Sequence, residues 1–258
     1  MTSMVRALKV NPAKVKTSMV TTSMVTTSMV TTSKVSATRS AVVAGVAALA
    51  AVTALAGCSG GGEAGGPAPE TAKALAVCEE VLGASGVSAA RAALGDADFR
   101  AESAPPAQVR EAMLKEARSY APGSEDLTRS TYEPCRMSTA EGGNVRRVDA
   151  RVQWSVQTMD SVTVDDKERK WAKAAADVYV RWEREPMDAL VAVVPCRVPG
   201  AAAGQERELP LQVSVRSQGI GTDGETLAGS LLTPFVRDTQ KRLGCQDPVT
   251  VPESLLPE

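Results

Sequence analysis

The sequence predicts an α+β fold: a two-layer sandwich with a four-stranded antiparallel sheet and helices on one face. Three observations lead there. Val148, Ala150, Val152 and Trp154 alternate with Arg147, Asp149, Arg151 and Gln153, the period-two pattern of a half-buried strand. Leu232, Val236, Thr239 and Leu243 recur at helical spacing near the C-terminus. Pro134-Cys135-Arg136 returns as Pro195-Cys196-Arg197, 61 residues later, and the flanking patterns follow the same offset.

A first helix carries the apolar stripe Leu75, Cys78 and Leu82. Pro106 opens a second, with Val109, Met113, Ala117 and Tyr120 on one side. The strand around Cys135 and the strand at 148–154 form a hairpin turned by Glu141-Gly142-Gly143-Asn144. A third helix is expected at 166–184, where Asp165-Asp166-Lys167-Glu168 offers a capping box and Trp171, Ala175, Val178 and Trp182 keep helical spacing. Val178-Tyr179-Val180 is equally strand-like in composition, and the 61-residue offset decides for helix. A strand holding Cys196, a turn at 199–208, a strand with Leu209, Leu211, Val213 and Val215, and a closing helix complete the order. The element order is α-α-β-β-α-β-β-α, a duplicated αββ unit behind an N-terminal helix.

Charge separates the chain into unlike pieces. Residues 1–57 hold Arg6, Lys9, Lys14, Lys16, Lys34 and Arg39 and no acid, so residues 58–258 carry −7 of a whole-chain net of −1. An acidic folded part argues against a nucleic-acid partner, which needs clustered Lys and Arg. The absence of histidine removes Ser-His-Asp and Cys-His chemistry and His-ligated metals, and no cofactor is expected.

Residues 41–56 form a charge-free apolar run of 16 residues behind Lys34 and Arg39, shorter than the roughly 20 a membrane-spanning helix needs. A charged start, a short apolar stretch and small residues at its end describe an export signal. Leu55-Ala56-Gly57-Cys58 follows directly and resembles the lipobox of bacterial lipoproteins, in style those of actinobacteria. The resemblance implies a lipid on Cys58, cleavage just before it, and a chain held at the extracytoplasmic face of the cell membrane. Ordinary secretion would use Ala54-Leu55-Ala56 as its cleavage site and leave five cysteines, an odd number. With Cys58 lipidated, Cys78, Cys135, Cys196 and Cys245 remain for two disulfides. Cys78–Cys135 with Cys196–Cys245 keeps each bridge local and is worth around 3–4 kcal/mol per bridge; the rival, Cys78–Cys245 with Cys135–Cys196, stays open.

Ahead of the signal, TSMV stands at 2–5 and 17–20, TTSMV at 21–25 and 26–30, and TTSKV at 31–35. Signal peptides run about 15–30 residues, so the start is expected at Met29, within a leader spanning 1–57. Residues 58–70, rich in Gly, Ser and Pro, are a tether, and 71–258 the α+β domain.

Other motifs lead nowhere. Gly219-Ile220-Gly221-Thr222-Asp223-Gly224 matches GxGxxG but lacks a following strand with its acid. Cysteine spacings of 20, 57, 61 and 49 exclude CxxC. Asp96-Ala97-Asp98 starts like a calcium loop, but Arg100 stands at the third ligand. Glu133, read on the same strand face as Cys135, and Asp149 on the next strand are the acids a cell-wall hydrolase could use. Trp154, Trp171 and Trp182 are candidates for a sugar site, the last two more simply core. The reading is an envelope lipoprotein, a non-catalytic binding module whose partner or ligand is unknown, with the carboxylate-dependent hydrolase as alternative.

Overall fold

The computed structural model describes residues 68–258 apart from 96–97, 125–128, 142–143, 165–170, 185–187, 222 and 257–258. The leader, the lipobox and nearly all of the tether lie outside the described residues.

Two helices open the domain, α1 (Pro69–Leu82) and α2 (Ala84–Leu94). Pro69 sits at the first turn, where its missing N–H is no loss, and α1 buries Leu75, Cys78 and Leu82 as expected. A short strand β1 (Arg100–Glu102) leads to α3 (Pro106–Arg118), again begun by proline and burying Val109, Met113 and Ala117. The expected hairpin follows: β2 (Tyr132–Glu141) and β3 (Asn144–Trp154) pair antiparallel, with Glu141 opposite Asn144. Beyond a short helix α4 (Met159–Thr163) come β4 (Ala172–Ala175), β5 (Val178–Glu183) and β6 (Asp188–Val194). One turn of helix α5 (Gln205–Glu208), β7 (Leu211–Gln218) and the 21-residue α6 (Asp223–Leu243) close the fold.

The fold remains α+β, but the expected four-stranded sheet is corrected to seven strands in the order β1-β2-β3-β7-β6-β5-β4, every neighbouring pair antiparallel. The expected helix over 166–184 is the largest correction. Its described part is the β4–β5 hairpin, turned at Asp177, whose φ of 57° is a conformation that Asp tolerates better than most residues. Val178 and Val180 have no accessible surface. Packing of β-branched side chains against a sheet neighbour therefore outweighs the helical spacing. The strand expected around Cys196 is β6, but it lies earlier in the chain. Asp-Ala-Leu-Val-Ala-Val-Val is buried on both faces and shows no alternation to fix its bounds.

The αββ duplication fails with the helix. Cys135 lies inside β2, whereas Cys196 stands two residues beyond β6, next to an isolated bridge between Arg197 and Gln246. The disulfides are Cys78–Cys135 and Cys196–Cys245, with Cα separations of 5.1 and 4.9 Å, so the local pairing forms and its rival does not. The first ties α1 to β2; the second ties the exit of β6 to the end of α6.

One continuous core lies between the sheet and helices α1, α2, α3 and α6. Met137, Ala150, Trp154, Leu190, Ala192, Val213 and Leu231 are among its fully buried members. The Trp154 indole N–H donates to the Met113 carbonyl at 3.0 Å, fixing α3 to β3. The opposite sheet face carries a small second cluster of Met159, Val162, Tyr179 and Val193 under α4. The rest of that face is largely polar.

Candidate functional site

Alternation along each strand sends every second side chain to the polar face, and antiparallel register lines these up across the sheet. One row crosses six strands: Glu102 faces Arg136, Arg136 faces Asp149, Asp149 faces Arg216, Arg216 faces Ala189, and Ala189 faces Glu183. Beside it, Arg151 faces Ser214, which faces Val191, which faces Arg181. Because β3 reads Arg147-Val148-Asp149-Ala150-Arg151, its acid lies between two cations of its own strand as well.

Asp149 is the centre of this array and is 1% exposed. Its Oδ1 lies 3.2 Å from Arg136 Nε, and its Oδ2 lies 3.1 Å from Arg147 Nε and 3.6 Å from Arg151 Nη2. Glu133 pairs with both Arg136 and Arg151, and Glu102 reaches Arg136 Nη1 at 3.2 Å. Burial raises the Asp149 carboxyl above its ordinary value of 3.8; Arg147 and Arg136 pull the other way without cancelling it. Burial, then the neighbouring Arg216 charge, lowers the Arg151 guanidinium. For Arg136, burial alone would do the same, but Glu133, Asp149 and Glu102 outweigh it and raise it.

Glu133 and Asp149 thus come together, joined through Arg136 and Arg151. The expectation that Glu133 shares a face with Cys135 is corrected. Tyr132 faces Val152 and Cys135 faces Ala150, three steps on β2 against two on β3. That bulge changes the parity of the strand. Cys135 enters the core while Glu133 joins the arginines.

The tryptophans do not converge. Trp154 is fully buried beneath α3, and Trp182 lies half-buried at the edge of the same core, under the Arg184 guanidinium at 5.6 Å. Trp171 is on the other side, packed on the small cluster. There its N–H donates to Gln157 Oε1 at 2.9 Å and the Arg181 guanidinium stacks 4.5 Å over the ring. In place of the expected Trp171–Trp182 helical stripe, Trp182 on β5 packs on the main core and Trp171, just before β4, on the small cluster of the opposite face.

The glycine-rich turn at 219–224 joins β7 to α6, and β7 has antiparallel neighbours on both sides, so no parallel dinucleotide unit exists there. Gly219 has φ 70°, and a Cβ on it would stand 2.8 Å from the Val145 carbonyl oxygen; the turn needs glycine to clear the β2–β3 hairpin. Among the described residues, no three acids or cysteines converge as metal ligands. A hollow of about 30 Å³ beneath α3 and α6, lined by Val81, Val109, Met113 and Phe235, has room for about one water.

The arginines of this face are the residues that sequence reasoning passed over as solvated polar alternates. The signal was present in Arg147, Asp149 and Arg151 at spacing two, which on a strand places cation, anion and cation on one face. Comparison adds no relative: no family model matches this chain, and no curated protein or solved structure matches it.

Proposed function

We propose that this chain is a membrane-anchored lipoprotein of the extracytoplasmic face, acting as a non-catalytic binding module of the cell envelope with the arginine-bearing sheet face as its working surface. The observation that carries the reading is the closed pairing of Cys78 with Cys135 and Cys196 with Cys245. It accounts for four of the five cysteines and leaves Cys58, the residue at the lipobox position, as the single one over. Two buried disulfides also suit an oxidising compartment, the destination of an exported chain. Among the described residues no helix is long and apolar enough to cross a membrane. Attachment would then rest on lipid at Cys58, and two acyl chains hold where one is marginal.

The hydrolase alternative gains from the meeting of Glu133 and Asp149, but the same geometry works against it. A glycosidase needs one carboxyl free to give a proton and one free to attack or activate water. Here both acids are bonded to guanidinium groups, and Asp149 is 1% exposed, out of reach of a glycosidic oxygen.

Mass spectrometry of the mature N-terminal peptide tests the anchor. The expected result is a chain beginning at acylated Cys58, with Cys58→Ala released to the medium or held unprocessed. A mature chain starting upstream with an unmodified Cys58 overturns the reading.

A further inference from the structure

The row across the sheet alternates acid and base with one interruption. Glu102, Arg136, Asp149 and Arg216 follow in turn; the next position, where another acid would face Arg216, is Ala189, and Glu183 lies beyond it. Asp149, the register partner of Arg216 on its other side, accepts from Arg136 through Oδ1 and lies near Arg147 and Arg151 through Oδ2, which makes no hydrogen bond. The Arg216 side chain is half-buried and has no ion pair or hydrogen bond among the described residues. Among the described residues Arg136 and Arg151 both meet Glu133 and Asp149, Glu102 adds to Arg136, and the Arg216 charge lies close enough to Arg151 to lower its guanidinium.

A partly desolvated cation beside another cation is costly unless something neutralises it. The Ser214 side chain, 8% exposed and directly opposite Arg151, lies two residues from Arg216 on the same face, and its hydroxyl has no hydrogen-bond partner among the described residues. Arg216 therefore offers a fork, with the Ser214 hydroxyl and the flank of the already paired Arg151 beside it, to one incoming oxyanion, and a guanidinium fork holds a planar carboxylate bidentately.

We propose that the polar sheet face holds a carboxylate-binding subsite at Arg216, completed by Arg151 and Ser214, whose occupant is an acidic peptide segment of a partner protein. Arg136, Arg147 and Arg151 already hold carboxylates, so charge complementarity selects the same group at Arg216. This inference rests on the binding-module reading above and names the chemistry of its partner.

The test uses the full chain in detergent micelles and a fluorescein-labelled hexaglutamate peptide, followed by anisotropy at constant ionic strength. Saturable binding is expected for the wild type. Arg216→Ala should weaken it by about tenfold or more, the effect of losing one charge-assisted contact, and Arg216→Lys by a smaller factor, because the charge stays and the fork goes. The ordering of affinities among the wild type, Arg216→Lys and Arg216→Ala decides. Equal peptide affinity in Arg216→Ala overturns the subsite while leaving a binding module intact. Absence of saturable binding by the wild type overturns it too, and the mass of the N-terminal peptide separately decides the anchor. Displacement of the peptide by inorganic phosphate more readily than by acetate at equal ionic strength reassigns the site and overturns the carboxylate.

Discussion

The two faces of β3 are built from alternate residues of one strand and do opposite work. Val148, Ala150, Val152 and Trp154 turn toward α3 and the helical layer and are all at most 2% exposed. Arg147, Asp149 and Arg151 turn the other way, and Asp149 is as well buried as the valines. Equal burial does not mean equal stabilisation. Apolar burial gains roughly 25 cal/mol per Å², whereas a buried carboxylate gives up hydration that its arginines only partly return. The raised Asp149 carboxyl is the sign that the return is incomplete. The helix-covered face holds the fold; the arginine face adds less to stability for the same burial.

The largest test of that contrast removes the tie across the helix-covered face. Cys78→Ala with Cys135→Ala opens a bridge that closes 57 residues and fastens α1 to β2. A loss of about 4 kcal/mol is expected in chemical denaturation, from the unfolded-state entropy the bridge removes. Next in size is a core position on β2. Met137→Ala, at a fully buried site, should cost about 3 kcal/mol through lost packing and an unfilled cavity. On the arginine face Asp149→Asn should change stability at neutral pH by less than about 1 kcal/mol, because the burial cost that raises the carboxyl goes with the charge and the arginines left behind, 21–31% exposed, remain in reach of water. A loss at Asp149→Asn matching that at Met137→Ala would break the distinction between the faces.

The pH dependence of the same substitution sharpens it. A carboxyl raised by burial binds its proton more tightly folded than unfolded, so its favourable contribution is present below the unfolded value and is lost as pH rises through the folded one. The wild type should therefore lose stability relative to Asp149→Asn as pH rises from about 4 upward. A difference curve of opposite slope would mean that the arginines, not burial, dominate at Asp149.

Much of this molecule is legible without its fold wherever a local pattern and its partner agree. Pro69 and Pro106 begin helices because a first-turn proline loses no hydrogen bond. The β2–β3 hairpin is written in its glycine turn and its alternation. Where local pattern and tertiary partner disagree, the partner wins. Trp171, Ala175, Val178 and Trp182 keep helical spacing, yet Val178 and Val180 are claimed by the core and Tyr179 pairs with Val193 on β6. The 61-residue offset reinforces the wrong choice, since a repeated tripeptide says nothing about which residues find a sheet neighbour.

Local pattern alone settles the α+β class, the helices at both ends of the domain, the β2–β3 hairpin and the alternation that sends Arg147, Asp149 and Arg151 to one side of a strand. These depend on contacts within about one turn or one hairpin, where spacing and backbone preference suffice. The strand count, the sheet order, the choice between two disulfide pairings and the row from Glu102 to Glu183 come from long-range packing instead. Each of those joins residues far apart in the chain, and register between distant strands is set by which apolar faces can be buried together. No local spacing brings Arg216 beside Asp149, because their meeting depends on β3 and β7, distant in the chain, finding a common core.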